Sequence, residues 1–126
     1  MIDSIRISES AKNRLITIRK RTNCENWNII CRWAFLAAIK DSEKVTYENI
    51  ITDSNVEMTW RTFAGHYEKL YMALLIKELK KQGIEINKKN VNDYFKIYLH
   101  NGISILMNPK LKNISDYSKY FLTKNL

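Results

Sequence analysis

One proline and three glycines stand in a chain of 126 residues. Tight-turned sandwiches and barrels need many more of both, so this scarcity favours a mainly helical fold. Cys24 and Cys31 are the only cysteines. Two are too few for a disulfide scaffold and their spacing matches no zinc motif, so both read as reduced thiols of a cytoplasmic protein. No apolar run reaches the ~18 residues of a membrane span, and no membrane partner is expected. The start, Met1-Ile2-Asp3-Ser4-Ile5-Arg6, lacks the basic-then-apolar order of a signal peptide. Gly65, Gly83 and Gly102 are scattered, which excludes the common phosphate-cradling loops. The zinc-protease pattern HExxH is absent, and His66 and His100 lie far apart with no third ligand, so no metal or cofactor is called for. There is no internal repeat and no low-complexity segment.

What is present is ordinary for a globular domain: 45% hydrophobic and 27% charged residues, which rules out a disordered tail. The length fits one domain over 1–126, burying roughly two-thirds of its unfolded surface. The net charge of +8 is uneven. Residues 1–40 carry eight basic against three acidic side chains, residues 41–66 two against five, and residues 67–126 eleven against five. A basic start and end around an acidic middle suggest a one-sided positive surface, whose usual partner is a phosphate backbone.

Ser4 to Ser8 alternates, with Ile5 and Ile7 on one side, the period of a half-buried strand. Such a short strand must pair with another chain, pair with a distant segment, or be merely extended. Ser8 is the expected N-cap of a helix to about Arg21, with Glu9 in its first turn and Ala11, Leu15, Ile18 and Thr22 on its buried face. Arg14 and Arg21 flank that face, and Lys12, Ile16 and Lys20 form a separate ridge. A turn over 22–26, with Asn26 as cap, leads into a helix from Trp27 to Lys40 that is apolar nearly all round. Such a helix is buried at a domain centre or partly against another subunit, and the latter is favoured in a chain of this size.

Residues 41–57 read as acidic and irregular, with a short helical turn near Tyr47. A long helix is expected from Met58 to Lys81, with Trp60, Phe63, Ala64, Tyr67, Leu70, Tyr71, Leu74 and Leu75 as its buried stripe. Gly83 fits the position just past its end. Asn87 can cap a further helix to about Met107, which Asn108-Pro109 breaks. The tail over 108–126 adds a short helix around Asp116 to Leu122, anchored by Tyr117, Tyr120 and Phe121. The fold class is thus mainly α: a single-domain helical bundle with a short N-terminal strand and a strand-helix-helix unit over 1–40.

Cys31 sits in the most apolar helix and reads as an inert buried thiol; Cys24, near Arg19, Lys20 and Arg21, lacks a partner base. Asp53 and Glu57 could share a helix face, but helix-start acids are the plainer reading. Arg32, inside an apolar helix, needs an anion or carboxylate, with Glu57 or Asp53 as the expected partner. The strongest binding candidate is the N-terminal unit. Its phosphate contacts are Arg14, Arg19, Lys20 and Arg21, with Arg6 and Lys12 next. Strand, helix, helix is also the order of ribbon-helix-helix proteins, which pair strands across a dimer and place them in the major groove.

The stretch Asn26-Trp27-Asn28-Ile29-Ile30-Cys31-Arg32-Trp33-Ala34-Phe35 resembles a block of the DndE family, small proteins of bacterial DNA phosphorothioation (DNA sulfur modification). Ser54-Asn55-Val56-Glu57-Met58 followed by Trp60, Phe63, Gly65, Tyr67, Leu70-Tyr71 and Ala73-Leu74-Leu75 resembles a second block. Leu99-His100 with Gly102-Ile103 resembles a third, and Ile5-Arg6-Ile7-Ser8 and Ala11-Lys12 also fit. The turn Asn23-Cys24-Glu25 departs from the pattern in lacking glycine.

The resemblance implies a mostly helical accessory protein with a ribbon-helix-helix-like start. It implies binding to double-stranded DNA, nicked duplex preferred. It further implies homo-oligomers, of which a tetramer is one form, and association with other subunits of the sulfur-modification complex. Those subunits would carry the desulfurase, iron–sulfur and ATPase chemistry, and no catalytic residue transfers to this chain. The expected function is a DNA-binding accessory subunit rather than an enzyme by itself. Its rivals are a weak DNA-nicking enzyme of the same system, a ribbon-helix-helix repressor and a scaffold that touches only proteins.

Overall fold

A computed structural model describes residues 1–41 and 45–123. Positions 42–44 of the acidic middle and 124–126 of the tail lie outside the described residues. The chain runs β1 (Ser4–Arg6), α1 (Glu9–Thr22), α2 (Trp27–Asp41), β2 (Glu57–Thr59), α3 (Trp60–Ala64), α4 (Glu68–Lys81), α5 (Lys88–Ile105) and α6 (Ile114–Leu122), with one 3-10 turn at Gly65–Tyr67 between α3 and α4. The fold is mainly helical, as composition predicts. No helix among the described residues is long and apolar enough to cross a membrane.

The strand at the start pairs with a distant segment of its own chain. β1 and β2 are antiparallel, with Ser4 opposite Thr59, Ile5 opposite Met58 and Arg6 opposite Glu57. Ser54 extends the pairing: its amide and hydroxyl both donate to the Ile7 carbonyl, at 3.2 and 2.7 Å. The strand's alternation thereby puts Ile5 and Ile7 in the core and Arg6 outside.

α2 is the central helix, and α5 is the element it packs against most extensively. Gly102 on α5 lies against the α2 backbone: a Cβ at this position would fall 1.6 Å from the Ala34 carbonyl oxygen. Glycine is required there because two backbones meet, not because of an unusual dihedral. Phe35 of α2 anchors the aromatic core, with ring centroids 6.0 Å from Phe63, 5.9 Å from Tyr71 and 5.4 Å from Phe95. The inner face of α2 (Ile30, Cys31, Ala34, Phe35, Ala37 and Ala38) is buried within the single chain, so intrachain packing does much of what the apolar surround suggested a second subunit would do. Cys31 is among these residues; burial pushes its thiol up to about 12, which makes it inert.

The long helix expected over 58–81 is not continuous. Met58 belongs to β2, and the helix breaks at Gly65, whose φ of 61° lies in the region that favours glycine. The break shifts the helical phase. Tyr67 and Leu70, expected in the buried stripe, are 60% and 54% exposed, while Phe63, Ala64, Tyr71 and Leu75 are buried as expected. Among the described residues, 45–52 form no helical turn near Tyr47. Two helix ends follow the sequence reading closely. Gly83 closes α4 in a paired carbonyl cap, donating to the Lys80 carbonyl at 3.1 Å while Ile84 donates to that of Leu79 at 2.9 Å. The Asn87 side chain caps α5, accepting from the Asn90 amide at 2.8 Å. α6 is held to the body by Tyr117, whose hydroxyl donates to the Leu106 carbonyl at 2.7 Å. Lys40 also reaches the Thr123 carbonyl at 2.7 Å.

The α2–α5 contact gives a direct test. Gly102→Ala should destabilise the protein by about 3 kcal/mol in urea denaturation, because neither backbone can withdraw. Gly83→Ala, with open space around the added methyl, should cost only about 1 kcal/mol from its left-handed backbone. Equal losses would contradict the packing described.

Candidate nucleic-acid interface

The basic helix α1 is fixed at its first turn by three groups. The Ser8 hydroxyl accepts from the Ala11 amide at 3.0 Å, the expected cap. The Asp53 carboxylate accepts from the Glu9 amide at 2.8 Å. His100 of α5 accepts from the Ser8 amide through Nε2 at 3.1 Å. Its Nδ1 lies 2.7 Å from the Lys96 carbonyl, which can only accept, so Nδ1 carries the proton and the ring is neutral. Desolvation by burial lowers the His100 pKa below its ordinary 6.5. At its other end α1 closes on Asn23, in the left-handed conformation at φ 58°, whose amide donates to the Arg19 carbonyl at 2.8 Å. Asparagine thus fills the position where glycine is the usual choice.

Helical spacing sorts the predicted cations of α1 onto two flanks of its exposed half. Lys12 and Arg19, seven residues apart, face one way. Lys12 donates to the Asn55 side chain at 2.7 Å, and the Arg19 guanidinium lies 4.5 Å from the Trp27 ring centroid. Arg14 and Arg21 face the other way. Arg14 donates to the Ser104 hydroxyl at 3.1 Å, and Arg21 to the Asn108 carbonyl at 3.3 Å and the Tyr117 hydroxyl at 3.5 Å. Lys20 is exposed between them. These contacts of Lys12, Arg14, Arg19 and Arg21 are all to neutral groups, so they restrain the side chains without offsetting their charge. Arg6 stands apart: it pairs with Glu57 across the sheet at 2.7 Å, which offsets its charge and holds the Glu57 carboxyl below its ordinary range.

Two expectations are corrected. Arg32 does not meet Glu57 or Asp53. It binds the end of α3, donating from Nη2 to the Thr62 carbonyl at 3.1 Å and from Nε to that of Phe63. A helix C-terminus carries unsatisfied carbonyls and partial negative charge, so it serves an arginine as a carboxylate would. Gly65 completes the arrangement, since a Cβ there would come within 2.8 Å of Arg32 Nη2. Asp53 and Glu57 do not share a helix face either. Asp53 is a helix-start acid, but for α1, and Glu57 lies on β2. Among the described residues no group of three or more His, Cys, Asp or Glu could hold a metal ion.

A groove of about 530 Å³ opens beside the Lys12–Arg19 flank, between α1, the start of α2 and β2. Trp27, Asn28 and Asn55 line it. Periodicity did not single out this groove, because its walls come from segments far apart in sequence.

The family profile of DNA sulphur modification protein DndE matches residues 4–113. The chain belongs to the DndE family. Membership makes it a component of the DNA sulphur modification (phosphorothioation) system. Two solved structures share the fold. The crystal structure of DndE from Escherichia coli B7A superposes with a TM-score of 0.70 at 17% identity, covering 84% of this chain and 98% of that one. That of a DndE mutant, likewise involved in DNA phosphorothioation, gives 0.66 at 20% identity, covering 86% and 99%. A Dictyostelium discoideum trafficking protein particle complex subunit 13 homolog is 29% identical over 97 residues. The match takes in 75% of this chain but only 18% of that protein, so the chain spans less than a fifth of its length. The DndE-family chain thus carries its basic α1 on a fold shared with those DndE structures.

The neutral His100 in this arrangement makes the start of α1 sensitive to acid. Its stabilising contribution is fully present above 6.5, the unfolded value, and is lost as the pH falls from there through the lowered folded value. Urea midpoints measured from about pH 7 to about pH 5 should fall more steeply for the native chain than for His100→Gln. Parallel profiles would refute this linkage.

Proposed function

We propose that the chain is a DNA-binding accessory subunit of the phosphorothioation machinery that grips the phosphate backbone through α1. The observation that carries this reading is the exposed half of α1, on which Lys12, Arg14, Arg19, Lys20 and Arg21 are arrayed along about 14 Å of helix. Each phosphate neutralised there releases a counterion, which drives binding without reading sequence. Arg6 contributes less than sequence order suggests, because Glu57 already pairs with it.

The preference for nicked duplex follows from the family resemblance and has a physical rationale in this geometry. Cations on two flanks of one convex helix are best met by a backbone that bends around it, and a duplex interrupted in one strand bends at lower cost. The ribbon-helix-helix repressor reading is weaker. It needs a strand pair reading the major groove, whereas one edge of β1 is engaged by β2 and its outward Arg6 is bound to Glu57. Homo-oligomers and contacts with other subunits of the modification complex belong to this proposal too.

Binding of intact, nicked and single-stranded DNA at two salt concentrations, on protein of known mass in solution, tests it. Nicked duplex should bind most tightly. The double variant Arg19→Ala/Lys20→Ala should weaken binding to every duplex alike and flatten the log–log salt slope by about 1.8. Unchanged affinity in that variant would remove α1 from the interface.

A further inference from the structure

The groove beside α1 has a chemistry that the phosphate-binding reading does not use. Its α1 rim is cationic, with Lys12 tied to Asn55 at 2.7 Å. Its lining also carries acceptors: the exposed Glu25 carboxylate, the Glu57 carboxylate, which already binds Arg6, and the side-chain oxygen of Asn28, whose amide nitrogen donates to the Thr62 carbonyl. A phosphate placed among these carboxylates would be repelled. A flat neutral group bearing N–H donors would be held. Trp27 is half-buried in the wall with the Arg19 guanidinium over its ring, a stacked pair whose guanidinium plane is itself a surface of the kind on which unstacked bases rest. At about 530 Å³ the groove falls in the usual range for small-ligand sites.

We propose that this groove takes a single unstacked nucleobase carrying an exocyclic amino group, while the adjoining phosphates run over α1. The inference rests on the DNA-binding reading above and adds a recognition element to it. Adenine, cytosine and guanine offer an amino donor to the carboxylates; thymine offers none. A nick or an unpaired nucleotide supplies such a base at the least unstacking cost. The cationic rim and the acceptor-rich lining thus divide the work: α1 takes the backbone and the groove takes the base.

The test uses the full chain and a set of duplexes of one length. One is fully paired, four carry a single unpaired nucleotide (A, C, G or T), and one carries an abasic residue at the same place. Unpaired A, C or G should bind roughly tenfold more tightly than T, than the abasic site and than the paired duplex. The abasic duplex bends as the others do but has no base to donate. Glu25→Gln removes an exposed charge without disturbing packing. It should abolish the preference while leaving affinity for paired duplex equal or higher. Asn55→Ala should also lose the preference, and its thermal unfolding shows whether it folds. If the abasic duplex binds as well as the amino-bearing ones, or the preference survives Glu25→Gln, the groove assignment is wrong and α1 binding stands. If no duplex binds at low salt, the DNA-binding reading itself fails and takes the groove assignment with it.

Discussion

The α2–α5 crossing at Gly102 is the constraint on which the rest of this structure depends. The two backbones approach so closely at Ala34 that no side chain fits between them. That approach seats Phe35 in the aromatic core. It also sets where the remainder of α5 passes the N-terminal unit. Two residues before Gly102, His100 meets the amide of Ser8; two residues after it, Ser104 meets Arg14. The basic helix is thus registered against α5 along its length. A loosened crossing would displace the start of α1 and one of its charged flanks together.

The second organising feature is the interrupted helix between β2 and α4. Arg32 and Asn28, both on α2, converge on the Thr62 carbonyl, at 3.1 and 3.3 Å. By holding the end of α3 they fix β2, which begins only a few residues earlier, against β1. The groove owes its shape to the same contacts, since one wall is the start of α2 and the other is the segment that Arg32 pins. A cation that looks misplaced in an apolar helix is therefore the tie between the core and the candidate base site.

Most of the helices were legible because their signals are local. Ser8, the stripe Ala11-Leu15-Ile18-Thr22, Gly83 and Asn87 each act within a few residues of themselves. The cations of α1 were legible for the same reason, and helical spacing alone sorts them into flanks. The break at Gly65 was not, because a glycine inside an apolar stripe costs a helix only about 1 kcal/mol, and the group that holds the end of α3 is Arg32 of another helix, on the Thr62 and Phe63 carbonyls. Tyr67 and Leu70 were misplaced by that one error of phase. β2 was missed because three residues, Glu57-Met58-Thr59, carry no readable alternation and are a strand only by virtue of β1. The family was legible from the block around Asn26 to Phe35. The groove was not, since Lys12, Asn28 and Asn55 are neighbours in space alone.

The way α1 is held has a consequence for the order in which the protein becomes functional. A helix of 14 residues is marginal by itself in water. Two of the three groups that fix its first turn, Asp53 and His100, lie 44 and 92 residues further along the chain. The basic segment therefore leaves the ribosome before these two groups and acquires its final form only after them. Until α5 has been made, the cations of residues 12–21 sit on a fluctuating strand of charge rather than on a shaped surface. A nascent chain surrounded by ribosomal RNA thus carries the composition of a nucleic-acid binder without its geometry.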